Sequence, residues 1–275
     1  MSTDVVPNWL RIILLTLSLT SFIPQLNRIF STKDSSGISL YYILFNLISS
    51  TEQFTIAFIY LVNLAGNSDV FANPRPTVGD WLNLCQTTLV WTCWLVLFAA
   101  CLNYPPARSD SRKTFILSIY TAFLCISVIA VWADAVYIAS SPGDEVSRRW
   151  PTALLHGVHT LLVNPVVTIL SIAAPIHQAR KIRSSPSLGA LSTTGLVIQA
   201  IIFAIVAVIW AIRVVFPTMP VITPSVVVTW YQLVGWAAVD NGVFAIGQAA
   251  LWFITTRKIG PHVENLSVGE TEPLL

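Results

Sequence analysis

Seven long apolar runs govern what this chain can become: roughly residues 8–30, 39–64, 81–103, 114–138, 154–179, 190–215 and 229–255. About 20 consecutive apolar residues cross the hydrocarbon core of a bilayer as a helix. Lipid offers no hydrogen bonds to a bare backbone, so only helices and closed barrels persist there, and these runs lack the alternation of barrel strands. Charged residues make up 10% of the chain and hydrophobic ones 55%. A soluble domain carries roughly 25% charged residues, so the charges here are too few to coat a water-facing surface. The expected fold is an all-α membrane protein with seven transmembrane helices. A net charge of +2 gives no field for neutralising phosphates, which excludes a nucleic-acid partner.

Two runs are less uniform than the rest. The fifth is interrupted by Pro151, His156, His159, Asn164 and Pro165, and the seventh carries Gln232, Asp240 and Asn241. The first run is longer than a signal-peptide core, has Asp4 rather than basic residues ahead of it, and lacks a small-x-small cleavage site, so it reads as a spanning helix. The four cysteines (Cys85, Cys93, Cys101, Cys125) lie inside apolar runs with no C-x-x-C pair, which suggests packing rather than disulfides or zinc. No cofactor is expected.

Sidedness follows from basic residues in short loops. Ten of the 15 Lys and Arg fall after the first, third and fifth runs or in the tail, from Arg28 to Lys258. That bias puts the N-terminus on the luminal side and the C-terminus in the cytosol, with Trp9, Trp81 and Trp150 as luminal interfacial anchors. The sequon at Asn265 would then face the cytosol and stay unglycosylated.

An internal repeat lies on the cytosolic side. Pro24-Gln25 is followed by Lys33 and then Ser36-Gly37-Ile38-Ser39; Pro175, His177 and Gln178 are followed by Gly189-Ala190-Leu191-Ser192. Gln25 to Gly37 is one residue longer than Gln178 to Gly189, a one-residue deletion. Three helices, a linker helix and three more give a 3+1+3 plan of parallel repeats. On this reading residues 1–258 form a single transmembrane domain: a first triple-helix bundle at about 8–103, a linker helix at about 114–138 and a second bundle at about 154–255, with a cytosolic tail at 259–275.

This arrangement resembles the PQ-loop family. The first copy matches its motif in Pro24-Gln25, Lys33 and Gly37-x-Ser39 before a second helix; the second copy is weaker, with His177-Gln178 for Pro-Gln and Pro186 where Lys33 stands. The resemblance implies a transporter of the cystinosin-like or cationic amino-acid type on a lysosomal or vacuolar membrane, which can be driven by protons. Such relatives often carry an acid in the helix after the second motif. Here that stretch runs from Leu196 to Gln199 without one.

Proline in a membrane helix removes a backbone hydrogen bond and kinks the axis. Pro24 and Pro175 are therefore candidate hinges for alternating access, with Gln25 and Gln178 placed to bond the freed carbonyls or a substrate. Ionisable groups buried in lipid are expensive and tend to mark pathways. Glu52 and Asp240 fall mid-span, where an acid can carry a proton or hold a substrate amine; Asn241, Gln199, Asn46, Gln53 and Gln232 can add polar contacts. Asp134 lies near a helix end, where a carboxylate reaches the interface. His156 and His159 share a helix face but lack a third ligand for a metal, and a luminal pH-sensing role suits them better. Asn164-Pro165 reads as a kink. The terminal Glu270, Leu274 and Leu275 resemble a dileucine sorting signal read by cytosolic adaptors.

The leading expectation is a small-solute transporter, most simply of amino acids. A seven-helix receptor or nutrient-dependent scaffold is the alternative, together with a SWEET-like sugar uniporter, against which the Pro-Gln/Lys/Gly-x-Ser arrangement argues. No nucleophile, base and orienter converge in the sequence, so an enzyme is not expected.

Overall fold

The computed structural model describes residues 6–64, 76–104, 113–140, 145–213 and 224–269, and every regular element among them is helical. Helix α1 spans Asn8–Thr32, interrupted at Ser21 and Phe22 where Asn8–Thr20 ends and Ile23–Thr32 begins. Helix α2 is Leu40–Phe58 extended by a π turn, Ile59–Asn63. Helix α3 is Val78–Asn103, and α4 is Lys113–Ser140 with a π turn at Cys125–Ile129. Helix α5 runs from Glu145–Val158 through a π turn, His159–Val163, into Asn164–Ser184. Helix α6 is Thr193–Arg213, and α7 joins Pro224–Trp230, a π turn at Tyr231–Gly235 and Trp236–Gly269. The last helix thus runs past the boundary expected near residue 255. The sorting signal at Glu270, Leu274 and Leu275 lies outside the described residues.

The molecule is built inside out relative to a soluble protein. Ile246 is 72% exposed while Glu52 is 0% and Asp240 1% exposed. Apolar residues such as Phe115, Ile126, Leu162 and Ile169 form the outer surface, which only acyl chains can solvate. The chain is an integral membrane protein. Trp9, Trp81 and Trp150 are all exposed.

Among the described residues, six helices are long and apolar enough to cross a bilayer: α1, α3, α4, Trp150–Ser184 of α5, α6 and Trp236–Lys258 of α7. Seven were expected, and α2 is the one outside this set. Asn46, Ser49, Ser50, Thr51, Glu52 and Gln53 dilute its apolar character. It is also the most enclosed helix: 13 of the 19 residues of Leu40–Phe58 are buried, against only Ile116 and Tyr120 in the Lys113–Leu124 part of α4.

Packing explains that contrast. Helix α3 lies against both α1 and α2, and α7 lies against both α5 and α6; the two groups meet where α2 packs on α5 and α1 on α6. Helix α4 leans on the outside of α2. It is pinned there by the Tyr120 hydroxyl, 3.1 Å from Trp91 Nε1 and 3.3 Å from Thr51 Oγ1. Asp134 holds its other end, accepting from Asn63 Nδ2 at 2.7 Å and Thr152 Oγ1 at 3.0 Å. Half-buried near its helix end, Asp134 thus also ties three helices together.

Rings fill the space between the two groups. Trp94 meets Phe22, Tyr42 and Phe244 edge-on at centroid distances of 5.4, 5.9 and 5.7 Å, and Phe244 meets Phe203 at 4.7 Å. Each edge-to-face contact is worth about 0.5–1.5 kcal/mol beyond its buried area. These five rings come from α1, α2, α3, α6 and α7 and plug the centre.

The prolines act differently in the two copies. Pro24 sits in the first turn of Ile23–Thr32, after the interruption of α1, where its missing N–H removes no bond. Pro175 lies inside Asn164–Ser184 with no interruption. Pro165 does not break α5 as its sequence suggests; it follows the π turn at His159–Val163 directly. A π turn bonds i to i+5 and so absorbs the register change at a residue without an N–H.

Candidate functional site

The two motif glutamines are exchanged between the helix groups. Gln25 of α1 donates from Nε2 to Ala190 O at 2.8 Å and accepts at Oε1 from the Ser192 N–H at 2.9 Å. Gln178 of α5 donates from Nε2 to Gly37 O at 2.7 Å and accepts from the Ser39 N–H at 2.8 Å. Each side chain therefore clasps the backbone that opens the second helix of the other group. Neither bonds a carbonyl freed by proline, the role expected from sequence. Ser39 and Ser192 are the residues just before α2 and α6, where backbone N–H groups lack helical partners.

The loops beside the clasps touch through glycine. Gly37 (φ +84°) and Gly189 (φ +54°) adopt the left-handed region, which a side chain disfavours. A methyl group on Gly37 would overlap the Leu188 carbonyl, and one on Gly189 the Ser36 carbonyl. The Ala190 N–H donates to Ser36 O at 2.7 Å. The residue missing between Gln178 and Gly189 is made up between Gly189 and Ser192, so the two glutamines stand at equal sequence distance from the serines that end their loops. Lys258 of α7 caps the end of α5 by donating to Ile182 O and Ser185 O, as a cation at a helix C-terminus should.

Deeper in the molecule, two buried carboxyls each bond a side chain of α5. Glu52 Oε1 of α2 lies 2.8 Å from His159 Nδ1 of α5, and the two side chains are 0% and 1% exposed. Asp240 Oδ1 of α7 accepts from Thr168 Oγ1 of α5 at 2.6 Å, and Thr168 Oγ1 is also 2.6 Å from the Tyr231 hydroxyl. Thr168 has one proton to give, so Tyr231 donates to Thr168 as Thr168 donates to Asp240. Glu52 and Asp240 lie within electrostatic reach of each other. Asn241 Nδ2 donates to Ala237 O at 2.6 Å and, at 3.4 Å, to Gln53 Oε1.

Asn164 occupies α5 between His159 and Thr168. The π turn brings His159 and Asn164 round to one side, and Thr168 follows one α turn later. Asn164 is fully buried. Among the described residues, its Oδ1 and Nδ2, Glu52 Oε2 and Asp240 Oδ2 find no protein partner. Leaving a buried polar group unbonded costs about 1–3 kcal/mol, so these four atoms are energetically expensive where they stand.

The remaining sequence candidates lie elsewhere. Asn46 bonds Tyr42 O in its own helix at 2.8 Å. Gln199 lines a separate small cavity of about 10 Å³ with Gln25, Tyr42, Trp94 and Gly195. Four contributors were not legible in sequence as a set: His159 as partner of Glu52, and Asn164, Thr168 and Tyr231. The three on α5 share one signal, a face that an unbroken 3.6-residue period does not align. Among the described residues no group of three or more His, Cys, Asp or Glu is placed to hold a metal.

Taken together, fold and interior define a polytopic helical membrane protein with a polar, carboxyl-bearing centre and reciprocal glutamine clasps. The family model of the PQ loop repeat matches residues 6–67, so the stretch holding α1 and α2 is similar to a PQ-loop repeat. The match takes in Gln25, Gly37, Ser39 and Glu52. Searches of curated proteins and of solved structures returned no match.

Proposed function

We propose that the protein is a small-solute carrier working by alternating access, with α2 as a seventh span and a 3+1+3 plan in which α1–α3 rock against α5–α7. The observation that carries this reading is the set of orphaned polar atoms on Glu52, Asn164 and Asp240. These residues sit on α2, α5 and α7, drawn from both helix groups, and the atoms await a ligand in a setting where an unbonded polar group is costly. The clasps between Gln25 and Ala190–Ser192 and between Gln178 and Gly37–Ser39 support the rocking, since they join the groups through a few breakable bonds. The resemblance of Pro24-Gln25, Lys33 and Gly37-x-Ser39 to the PQ-loop motif implies amino acids as the substrate class. A vacuolar or lysosomal membrane, a luminal N-terminus and a cytosolic tail complete the proposal, with Glu270, Leu274 and Leu275 engaging cytosolic adaptors. No catalytic chemistry is assigned.

The test is uptake of a radiolabelled amino-acid panel into vesicles reconstituted with the full chain, with and without a pH gradient. The expected result is saturable uptake of at least one member, abolished by Asp240→Asn and Pro24→Leu while both variants still insert. Unchanged uptake by both variants refutes the proposal.

A further inference from the structure

A line of polar groups leads from Glu52 to the Trp150 end of α5. Thr152, His156 and His159 stand at i, i+4 and i+7 and so share one face of the helix. At the outer end, half-buried Asp134 accepts from Thr152 and Asn63. One turn further in, His156 is half-buried; its ring lies 5.0 Å from that of Tyr60 on α2, and its buried Nε2 has no partner among the described residues. Another turn inward, His159 meets Glu52. Beyond Glu52 the line ends, because its second oxygen has no partner among the described residues.

We propose that Asp134, His156, His159 and Glu52 form a proton-exchange path, with Glu52 as its inner terminus and Asp134 at its mouth. His159 is the relay. A proton arriving from the His156 side adds to His159 Nε2 while the proton on Nδ1 passes to Glu52 Oε1. The imidazole changes tautomer and stays neutral, the carboxylate becomes a carboxylic acid, and one proton is gained overall. The hydrogen bond of 2.8 Å between Nδ1 and Oε1 accommodates the proton on either atom. Other groups also face the inner end of the path. Asp240 and Tyr231 face it from α7, Tyr60 faces it from α2 through His156, and the Tyr120 hydroxyl of α4 lies beside Thr51. None of them bonds His159 or Glu52, which leaves the imidazole as the direct donor. Proton exchange requires no solute, so it stands apart from the carrier proposal.

The test is a pH jump on the full chain in phosphatidylcholine vesicles, followed by infrared absorption of protonated carboxyls. The Glu52 band is the one missing from Glu52→Gln. In His156→Gln the band is expected to reach the same amplitude but to form about a hundredfold more slowly or worse, the scale of losing one positioned proton carrier. In His156→Ala added imidazole should restore the rate, which a purely structural role would not allow. Asp134→Asn, which keeps the shape at the mouth, should slow the band as well and serves if the histidine variants do not fold. The proposal is overturned if Glu52→Gln removes no band from acid to mildly alkaline pH. It is equally overturned if the rate is unchanged in folded His156→Gln or Asp134→Asn, or if imidazole restores nothing.

Discussion

Truncating a clasp should open the molecule from one side, by an amount the hydrogen bonds set. Gln25→Ala removes the bonds to Ala190 O and the Ser192 N–H, and Gln178→Ala removes those to Gly37 O and the Ser39 N–H. In the open state these backbone groups meet water, so each bond contributes only its net value of about 1 kcal/mol to closure. One clasp is then worth about 2 kcal/mol, roughly a 30-fold change in the ratio of closed to open molecules. The two clasps share no bonding partner, so the double variant should lose about 4 kcal/mol, close to a thousandfold. Gln25→Glu should be more damaging than Gln25→Ala, because it sets a carboxylate oxygen against the Ala190 carbonyl where an N–H stood. The assay is labelling by a membrane-impermeant maleimide of Leu196→Cys, in a chain whose four native cysteines are alanine. Leu196 is buried and lines the cavity next to Gln25, so its labelling reports opening at the clasp end. Equal labelling rates in the parent and both single variants would refute the reasoning, as would a double variant no faster than either single one.

Two further outcomes follow from the same region. Gly37→Ala and Gly189→Ala each place a methyl group against the opposing loop's carbonyl at a positive φ, so both should lower the yield of folded protein in detergent, while Gly157→Ala, which meets nothing within 4 Å, should not. Trp94→Ala removes the ring that touches Phe22, Tyr42 and Phe244; thermal unfolding should report a loss of about 3–5 kcal/mol, whereas Trp150→Ala, 78% exposed, should change it little.

Much of the fold was legible because lipid imposes a single rule: apolar runs must be helices, and their lengths give the spans. The motif residues were legible as well, since Pro24-Gln25 and Gly37-x-Ser39 recur near Gln178 and Ser192. Their partners were not. A glutamine beside a proline suggests a local bond, yet Gln25 reaches a loop 165 residues away, and only the pairing of α1 with α6 puts it there. The central site failed for a different reason. His159, Asn164 and Thr168 line up only because a π turn adds a residue to one helical repeat, and nothing in the side chains announces that turn except the proline after it.

The one expected span that is not apolar enough to cross a bilayer by composition is where these threads meet. Helix α2 falls outside the set of apolar spans because Glu52 and its polar neighbours occupy its middle, and a helix so composed could not face lipid at that depth without several kcal/mol of penalty for the carboxyl. The packing removes the penalty by enclosing α2 between α3 and α5, with α4 laid across its outer side. Enclosure also singles Glu52 out, since a group screened from both water and lipid interacts only with what the protein brings to it, here His159 on one oxygen. The carboxyl that lowers the mean hydropathy of α2 is thus sustained by the helix's burial. Replacing Glu52 with leucine would make α2 a conventional span by composition and leave His159 buried with Nδ1 unbonded, so the variant that looks most at home in a membrane should be the less stable protein, by about 1–3 kcal/mol in thermal or denaturant unfolding. Equal or greater stability of Glu52→Leu would mean that the acid sits in α2 for some reason other than its partner.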